Sequence, residues 1–242
     1  MTEATRRERL RAETERDIRR TARALLVERG ADAVTLRAIA RAVGITAPAL
    51  YRYYDSREDL LARLCDDICG DLDRALSAEL DAQASDDVPA QVFAVGRRFR
   101  KWALAHPSEF ALVFASTDGR VKEEGDQFGK IFLQLAAGLV AAHPFPKPVP
   151  EDVPESLEAD LRAFQHVMIE TVRERGVEID EDVLHLGAIY HILQSWVRLY
   201  GHVALEVFGR FPFVVSNPEA MFDRMLGQML GELSLTHRPD RP

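Results

Sequence analysis

Three tyrosines fall within four positions of the stretch ITAPALYRYYDSRED, residues 45–59: Tyr51, Tyr53 and Tyr54, with Arg52 among them and Pro48 just ahead. A phenol is a rigid, neutral hydrogen-bonding group, and an arginine carries a planar fork of donors. Such a set suits gripping phosphates and reading base edges rather than making or breaking bonds. Other residue pairs offer little chemistry. His202 and Glu206 stand four apart, as do His166 and Glu170, a spacing at which a helix can present a metal-binding pair. The four glutamates and two Glu-x-x-His motifs of a di-iron bundle are missing, as are a nucleophile motif, a phosphate-binding glycine loop and a zinc pattern. A helical metal-dependent enzyme is therefore only a remote alternative; no enzyme activity is expected and no metal or cofactor is implied. Cys65 and Cys69, also four apart, make poor disulfide partners across a helical turn and are expected to pack as reduced thiols.

The elements that hold the tyrosines follow from periodicity. Helical spacing runs nearly throughout and no strict alternation is long enough for a sheet, so the fold class is all-α. Thr14 is placed to cap a helix carrying Ile18, Ala22, Leu25 and Leu26, with Gly30 as a left-handed stop. Thr35 is placed to cap a second, with Leu36, Ile39, Ala40 and Val43 at helical spacing and Gly44 at its end. After Ile45 alone, Thr46 can cap a third, with Pro48 in its first turn, where a missing backbone N–H costs nothing. Two short helices joined by a glycine turn and braced by a longer one describe a helix-turn-helix unit, whose second member enters the DNA major groove. At about 100° per residue, Leu50 and Tyr54 point together, Pro48 and Arg52 project roughly opposite, and Tyr51 and Tyr53 flank them. Tyr54 is thus expected to pack with Leu50, Ile39 and Val43, and Tyr51 and Tyr53 to meet phosphates on either side of the groove. Arg52, Pro48 and Ala49 face base edges: the arginine toward guanine, the small apolar groups toward a thymine methyl. Tyr53 and Arg37 also fit an ordinary exposed aromatic and a solvated charge.

The charge distribution agrees. The net charge of −8 hides a head, residues 1–60, with thirteen arginines against ten acidic groups, a net of +3, and a remainder of −11. Arg6, Arg7, Arg9 and Arg11 read either as an arm for an adjacent minor groove or as a frayed, soluble terminus. The longest apolar run, IFLQLAAGLVAA at 131–142, is broken by Gln134 and falls short of the roughly 20 residues that cross a bilayer, so no membrane partner is expected. The first residues lack the apolar stretch of a secretory signal, so the chain is expected to stay in the cytoplasm.

With 242 residues and 47% hydrophobic content, the chain can also bury a large second core. Leu61, Leu64, Cys65, Ile68, Leu72 and Leu76 stripe one long helix after the tyrosines. Pro144, Pro146, Pro148, Pro150 and Pro154 predict an extended surface connection. The segment from Val183 to Phe208 is apolar nearly all round, with Arg198 and Glu206 almost its only full charges, so it must be covered on both sides. Met221, Phe222, Met225, Leu226, Met229, Leu230 and Leu233 then trace a further stripe, with Gly227 and Gly231 permitting close helix approach. A two-fold interface would cover both helices, and Val197, Leu205, Met221, Met225, Leu226 and Met229 are its candidate residues.

The segment VTLRAIARAVGITAPALYRYYDSREDLL, residues 34–61, resembles the signature of the TetR (tetracycline-repressor-like) family of transcriptional regulators. The resemblance rests on Thr35, the Ile39-Ala40 pair, Gly44, the Leu50-Tyr51 pair and Tyr54. It implies an all-helical homodimer in which an N-terminal three-helix DNA-binding domain precedes a larger helical domain for ligand binding and dimerisation. It further implies a repressor that leaves a palindromic double-stranded operator when a small-molecule effector binds. By position, Thr35, Arg37, Thr46, Tyr51, Tyr53 and Arg57 resemble the family's DNA contacts; Arg57 stands where lysine is common and Ala49 where glycine is frequent. The last two helices would form a four-helix dimer interface. The expected domains are 1–56 for DNA, with 1–13 a flexible basic arm, 57–236 for effector and dimerisation, and 237–242 a disordered tail. Composition and resemblance together point to an apolar or aromatic effector, with Phe99, Trp102, Phe110, Phe114, Phe128, Phe132, His166, Tyr190 and Trp196 as candidate pocket walls, most of which must simply be core. The alternative is a DNA-binding dimer without an effector.

Overall fold

The computed structural model describes residues 3–84, 86–115, 136, 153–174 and 183–232, and among these residues all regular structure is helical. The chain divides into two compact units: Met1–Asp71 with His106–Gln127, and Leu72–Ala105 with Phe128–Pro242. None of the described helices is long and apolar enough to cross a membrane.

The first unit starts with α1, Glu3–Arg29. Its apolar positions Ile18, Ala22 and Leu26 are buried at helical spacing. The helix begins well before Thr14, whose hydroxyl donates to the Leu10 carbonyl at 2.9 Å instead of capping an end. A threonine that back-bonds within a helix looks in sequence like one that starts it. Residues 3–13, expected as a flexible arm, are therefore helical, and Arg11 pairs with Glu15 one turn along at 3.1 Å. Gly30, at φ 79°, turns the chain into a short 3-10 segment, Ala31–Ala33. Then come α2, Leu36–Val43, α3, Ala47–Leu50, and α4, Arg57–Asp81, of which the residues to Asp71 belong to this unit. The later helix α6, Pro107–Ala115, rejoins this unit. Arg23 binds it there, from Nε to Glu109 on α6 and from Nη1 to Asp71 on α4, while Arg19 binds Asp67.

The second unit holds α5, Val88–Ala105; α7, Glu158–Glu174; α8, Leu186–Val207; and α9, Pro218–Glu232. His185 caps α8, its Nδ1 accepting from the Ala188 amide at 3.3 Å. The helices α5, α8 and α9 pack against one another. Gly96 of α5 lies against α9: an added Cβ there would stand 3.0 Å from Cδ1 of Leu226. The two full charges of α8 both bridge to other helices: Arg198 to Glu232 of α9 at 2.7 Å, and Glu206 to Arg100 of α5 at 2.6 and 2.8 Å. A second cluster, Leu161, Met168, Ile169, Leu184, Ile189 and Ile192, joins α7 to α8. The proline-rich connection and the apolar run at 131–142 lie outside the described residues, apart from Ala136 and the residues from Val153 onward.

Candidate nucleic-acid interface

Local chemistry shapes α2 and α3. Thr35 starts α2 by accepting the Ala38 amide at 3.2 Å, and Thr46 starts α3 by accepting the Ala49 amide at 3.3 Å. Between them Gly44 takes the left-handed conformation, φ 79° and ψ 26°, and the Ile45 amide closes on the Ala40 carbonyl at 3.0 Å. Pro48 sits in the first turn of α3, where its missing donor leaves nothing unpaired. The regular part of α3 is a single turn. Arg52 and Tyr53 then donate to carbonyls three residues back, at 3.3 and 2.9 Å, so the strand of tyrosines continues as a tighter turn than the sequence spacing assumed.

That backbone separates the tyrosines. Tyr54 is 4% exposed and Leu50 is fully buried, whereas Tyr51 is 55% exposed. Val43, expected beneath Tyr54, is only half-buried. The Tyr54 hydroxyl accepts from Nη1 of Arg19 on α1 at 3.3 Å. Burial raises the Tyr54 pKa against the pull of Arg19, so the phenol stays neutral. Thr35, Arg37, Thr46, Pro48, Tyr51 and Arg52 are all exposed in this unit, while Ala49 and Tyr53 are half-buried. The Arg11 guanidinium lies 5.7 Å from the centre of the Tyr53 ring, a cation–π contact that holds the ring against α1.

Arg57 differs from the other candidates. Its Nε donates to the Val34 carbonyl at 2.8 Å and its Nη2 to the Ala31 carbonyl at 2.7 Å, and the side chain is half-buried. Spacing carried no sign of this, because the acceptors are backbone atoms 23 and 26 residues away. The Arg23 and Glu109 pair, 86 residues apart, was equally out of reach. The one available signal was an acidic residue in the first turn of an otherwise apolar α6.

The candidate pocket residues are divided between the two units. Phe110 and Phe114 lie in the first unit and stack on each other at 4.4 Å. Phe99, Trp102, Tyr190 and Trp196 lie in the second, with Phe99 and Trp102 buried and Trp196 stacked on Tyr200 at 5.5 Å. His166 is exposed on α7, as is Glu170. Phe128 and Phe132 lie outside the described residues. His202 is buried among Phe211 and Phe222, and its Nε2 lies 3.8 Å from a Glu206 carboxylate already held by Arg100. Burial lowers the His202 pKa. No group of three or more metal-ligating side chains occurs among the described residues. Cys65 and Cys69 are buried, and burial, aided by Asp66, pushes the Cys65 thiol up to about 12, far from a reactive thiolate.

Of the residues offered for a dimer surface, Val197, Leu205 and Met221 are 54%, 42% and 38% exposed, and Met225 is half-buried. Leu226 and Met229 are buried within the chain itself. The stripe on α9 is broad enough to serve two faces, and Gly96 draws the Leu226 side toward α5. Gly96 is the close-approach glycine here; Gly231 has open space where a Cβ would stand.

A helix-turn-helix with an exposed tyrosine and arginines beside a capped, glycine-turned α2, in a helical chain, is the build of a DNA-binding transcriptional regulator. Comparison with known proteins gives the same class. Residues 18–64 match the family described as bacterial regulatory proteins, tetR family, and residues 92–229 match the tetracyclin repressor-like C-terminal domain. The HTH-type transcriptional regulator Mb1846 of Mycobacterium bovis is 28% identical over 222 residues, covering 86% of this chain and 88% of its own. Rv1816 of Mycobacterium tuberculosis, also an HTH-type transcriptional regulator, matches to the same extent. The crystal structure of SCO4313, described as a regulatory protein, superposes with a TM-score of 0.62 at 25% identity, over 93% of this chain and 98% of that one. The chain belongs to the TetR family of transcriptional regulators, which are DNA-binding proteins and not enzymes.

Proposed function

We propose that this regulator is a homodimeric repressor that holds an inverted-repeat operator and releases it when a small, largely apolar molecule binds the helical body. The observation that carries the DNA half is the exposed set Thr35, Arg37, Thr46, Pro48, Tyr51 and Arg52 beside the buried Leu50 and Tyr54. Thr35, Thr46 and Tyr51 supply hydroxyls and Arg37 a charge for phosphates, which fix register; Tyr53 adds a half-buried phenol at the edge. Arg52, with Pro48 and Ala49, meets base edges. Two copies of this face about 34 Å apart match successive major grooves.

The exposed apolar residues Val197, Leu205 and Met221 support a surface for a second copy on α8 and α9. The aromatic content of the body supports an apolar effector, and release is a population shift: ligand favours a conformation in which the two α3 helices no longer fit successive grooves.

The test is linkage. An effector found by thermal stabilisation of the purified protein must lower its affinity for the operator recovered by selection, because a ligand that prefers the released state does both. A ligand that stabilises the protein and leaves operator affinity unchanged contradicts the release step. Operator binding that no small molecule alters reduces the regulator to a constitutive DNA-binding dimer.

A further inference from the structure

We infer that Arg57 is a positioning residue of the helix-turn-helix and not a phosphate contact: it clamps the α1–α2 connection to the first turn of α4 and so sets the attitude of α2 on DNA. The inference rests on the operator-binding reading above and departs from the position-by-position resemblance, in which this residue touches phosphate.

Both ends of the clamp are anchored. On the α4 side, the Ser56 hydroxyl accepts from the Asp59 amide at 3.1 Å, the Asp59 carboxylate accepts from the Asp55 amide at 3.1 Å, and Leu60 is fully buried. This reciprocal cap fixes the backbone from which Arg57 springs. On the other side, the Val34 carbonyl directly precedes Thr35, the cap of α2, and the Val34 side chain is fully buried. The Ala31 carbonyl also accepts the Val34 amide at 3.1 Å. One guanidinium edge thus ties down both carbonyls of the bend that aims α2 and the exposed Arg37 it carries.

The chemistry of the fork explains why arginine stands here. Nε and Nη2 lie in one plane and can serve two acceptors together; a lysine ammonium is a point charge without that geometry. An Arg-to-Lys exchange, harmless for a phosphate contact, breaks this clamp. Through it, a displacement of the start of α4 is passed to α2 by two hydrogen bonds.

The experiment compares wild type, Arg57→Lys, Arg57→Gln and, as a phosphate-contact control, Arg37→Gln. Each is tested on the selected operator and on a random duplex of equal length, over a range of salt. Both Arg57 variants are expected to lose about tenfold in operator affinity and to change little on the random duplex. Arg57→Lys keeps the wild-type salt slope. A phosphate role predicts otherwise: Arg57→Lys near wild type, and Arg57→Gln weaker on both duplexes, with the slope reduced by about 0.9 per contact. That result overturns the inference.

A second readout needs neither a variant nor DNA. By NMR of the free protein, the Arg57 Nε proton should exchange with solvent more slowly than that of exposed Arg52, and fast exchange overturns the clamp. Should wild type enrich no operator, the operator-binding reading fails, and this proton still decides whether the clamp exists.

Discussion

In the first unit, arginines reach between elements to oxygen acceptors: Arg19 to Asp67, Arg23 to Asp71 and Glu109, Arg57 to the carbonyls of Val34 and Ala31. In the second, Arg97 holds Asp223 at 2.8 and 2.9 Å, Arg100 holds Glu206 and Arg198 holds Glu232. The bracing is alike, but the exposed residues proposed for binding differ in kind. The first unit exposes Arg37, Tyr51 and Arg52; the second exposes Val197, Leu205 and Met221. Inter-helix arginines fix geometry in both units, and the exposed residues carry the proposed binding: a polyanion in one, a second copy's apolar face in the other.

Substitutions that strike one unit should spare the other. The largest effect is expected for Arg23→Ala, which leaves Glu109, 2% exposed, without its cation. Removing one member of such a pair costs about 3 kcal/mol or more. Urea unfolding of the first unit should shift by that order and operator binding should weaken, with self-association unchanged by sedimentation. A double variant that also carries Glu109→Gln should recover part of the loss. Leu226→Ala is the counterpart in the second unit, costing about 2–5 kcal/mol through the cavity it leaves. Gly96→Ala strikes the same contact from the other side, since its Cβ would press on Leu226 at 3.0 Å, and Leu226→Val should relieve part of that cost.

A smaller change separates folding from assembly. Leu205→Glu puts a charge on a residue 42% exposed and should leave thermal stability nearly intact while raising the dimer dissociation constant about tenfold or more. An unchanged sedimentation profile would move the dimer surface elsewhere.

The smallest effect concerns pH. Burial lowers His202 below its ordinary value of 6.5, so below that pH the unfolded chain takes up a proton that the folded chain resists. Its contribution is complete above pH 6.5 and is lost as the pH falls below it. His202→Gln should therefore flatten the fall in melting temperature between neutral and mildly acid pH. The flattening is partial, because burial lowers His191 in the same direction.

The same local and non-local division decides what could be read in advance. The limits of α2 and the start of α3 were legible because Thr35, Gly44, Thr46 and Pro48 act on their own neighbours. The burial of Leu50 and Tyr54 and the exposure of Arg52 followed from one helical turn. The start of α1 was hidden because Thr14 makes the same kind of bond inside a helix as at its end. The packing of Leu226 toward α5 was hidden because a stripe on a helix does not say which neighbour covers it; Gly96, far off in the chain, does. The bonds of Arg57 were not legible because its acceptors are carbonyls, which carry no residue identity.

The most direct test of a DNA-facing surface divided into gripping and reading residues is selection of bound duplexes from a random pool at fixed moderate salt. It is run in parallel with wild type, Tyr51→Phe and Arg52→Ala. The account predicts that wild type enriches an inverted repeat, that Tyr51→Phe enriches the same repeat with uniformly weaker binding, and that Arg52→Ala loses preference at one position in each half-site. Identical profiles for the two variants, or no enriched sequence from folded wild-type protein, would contradict it.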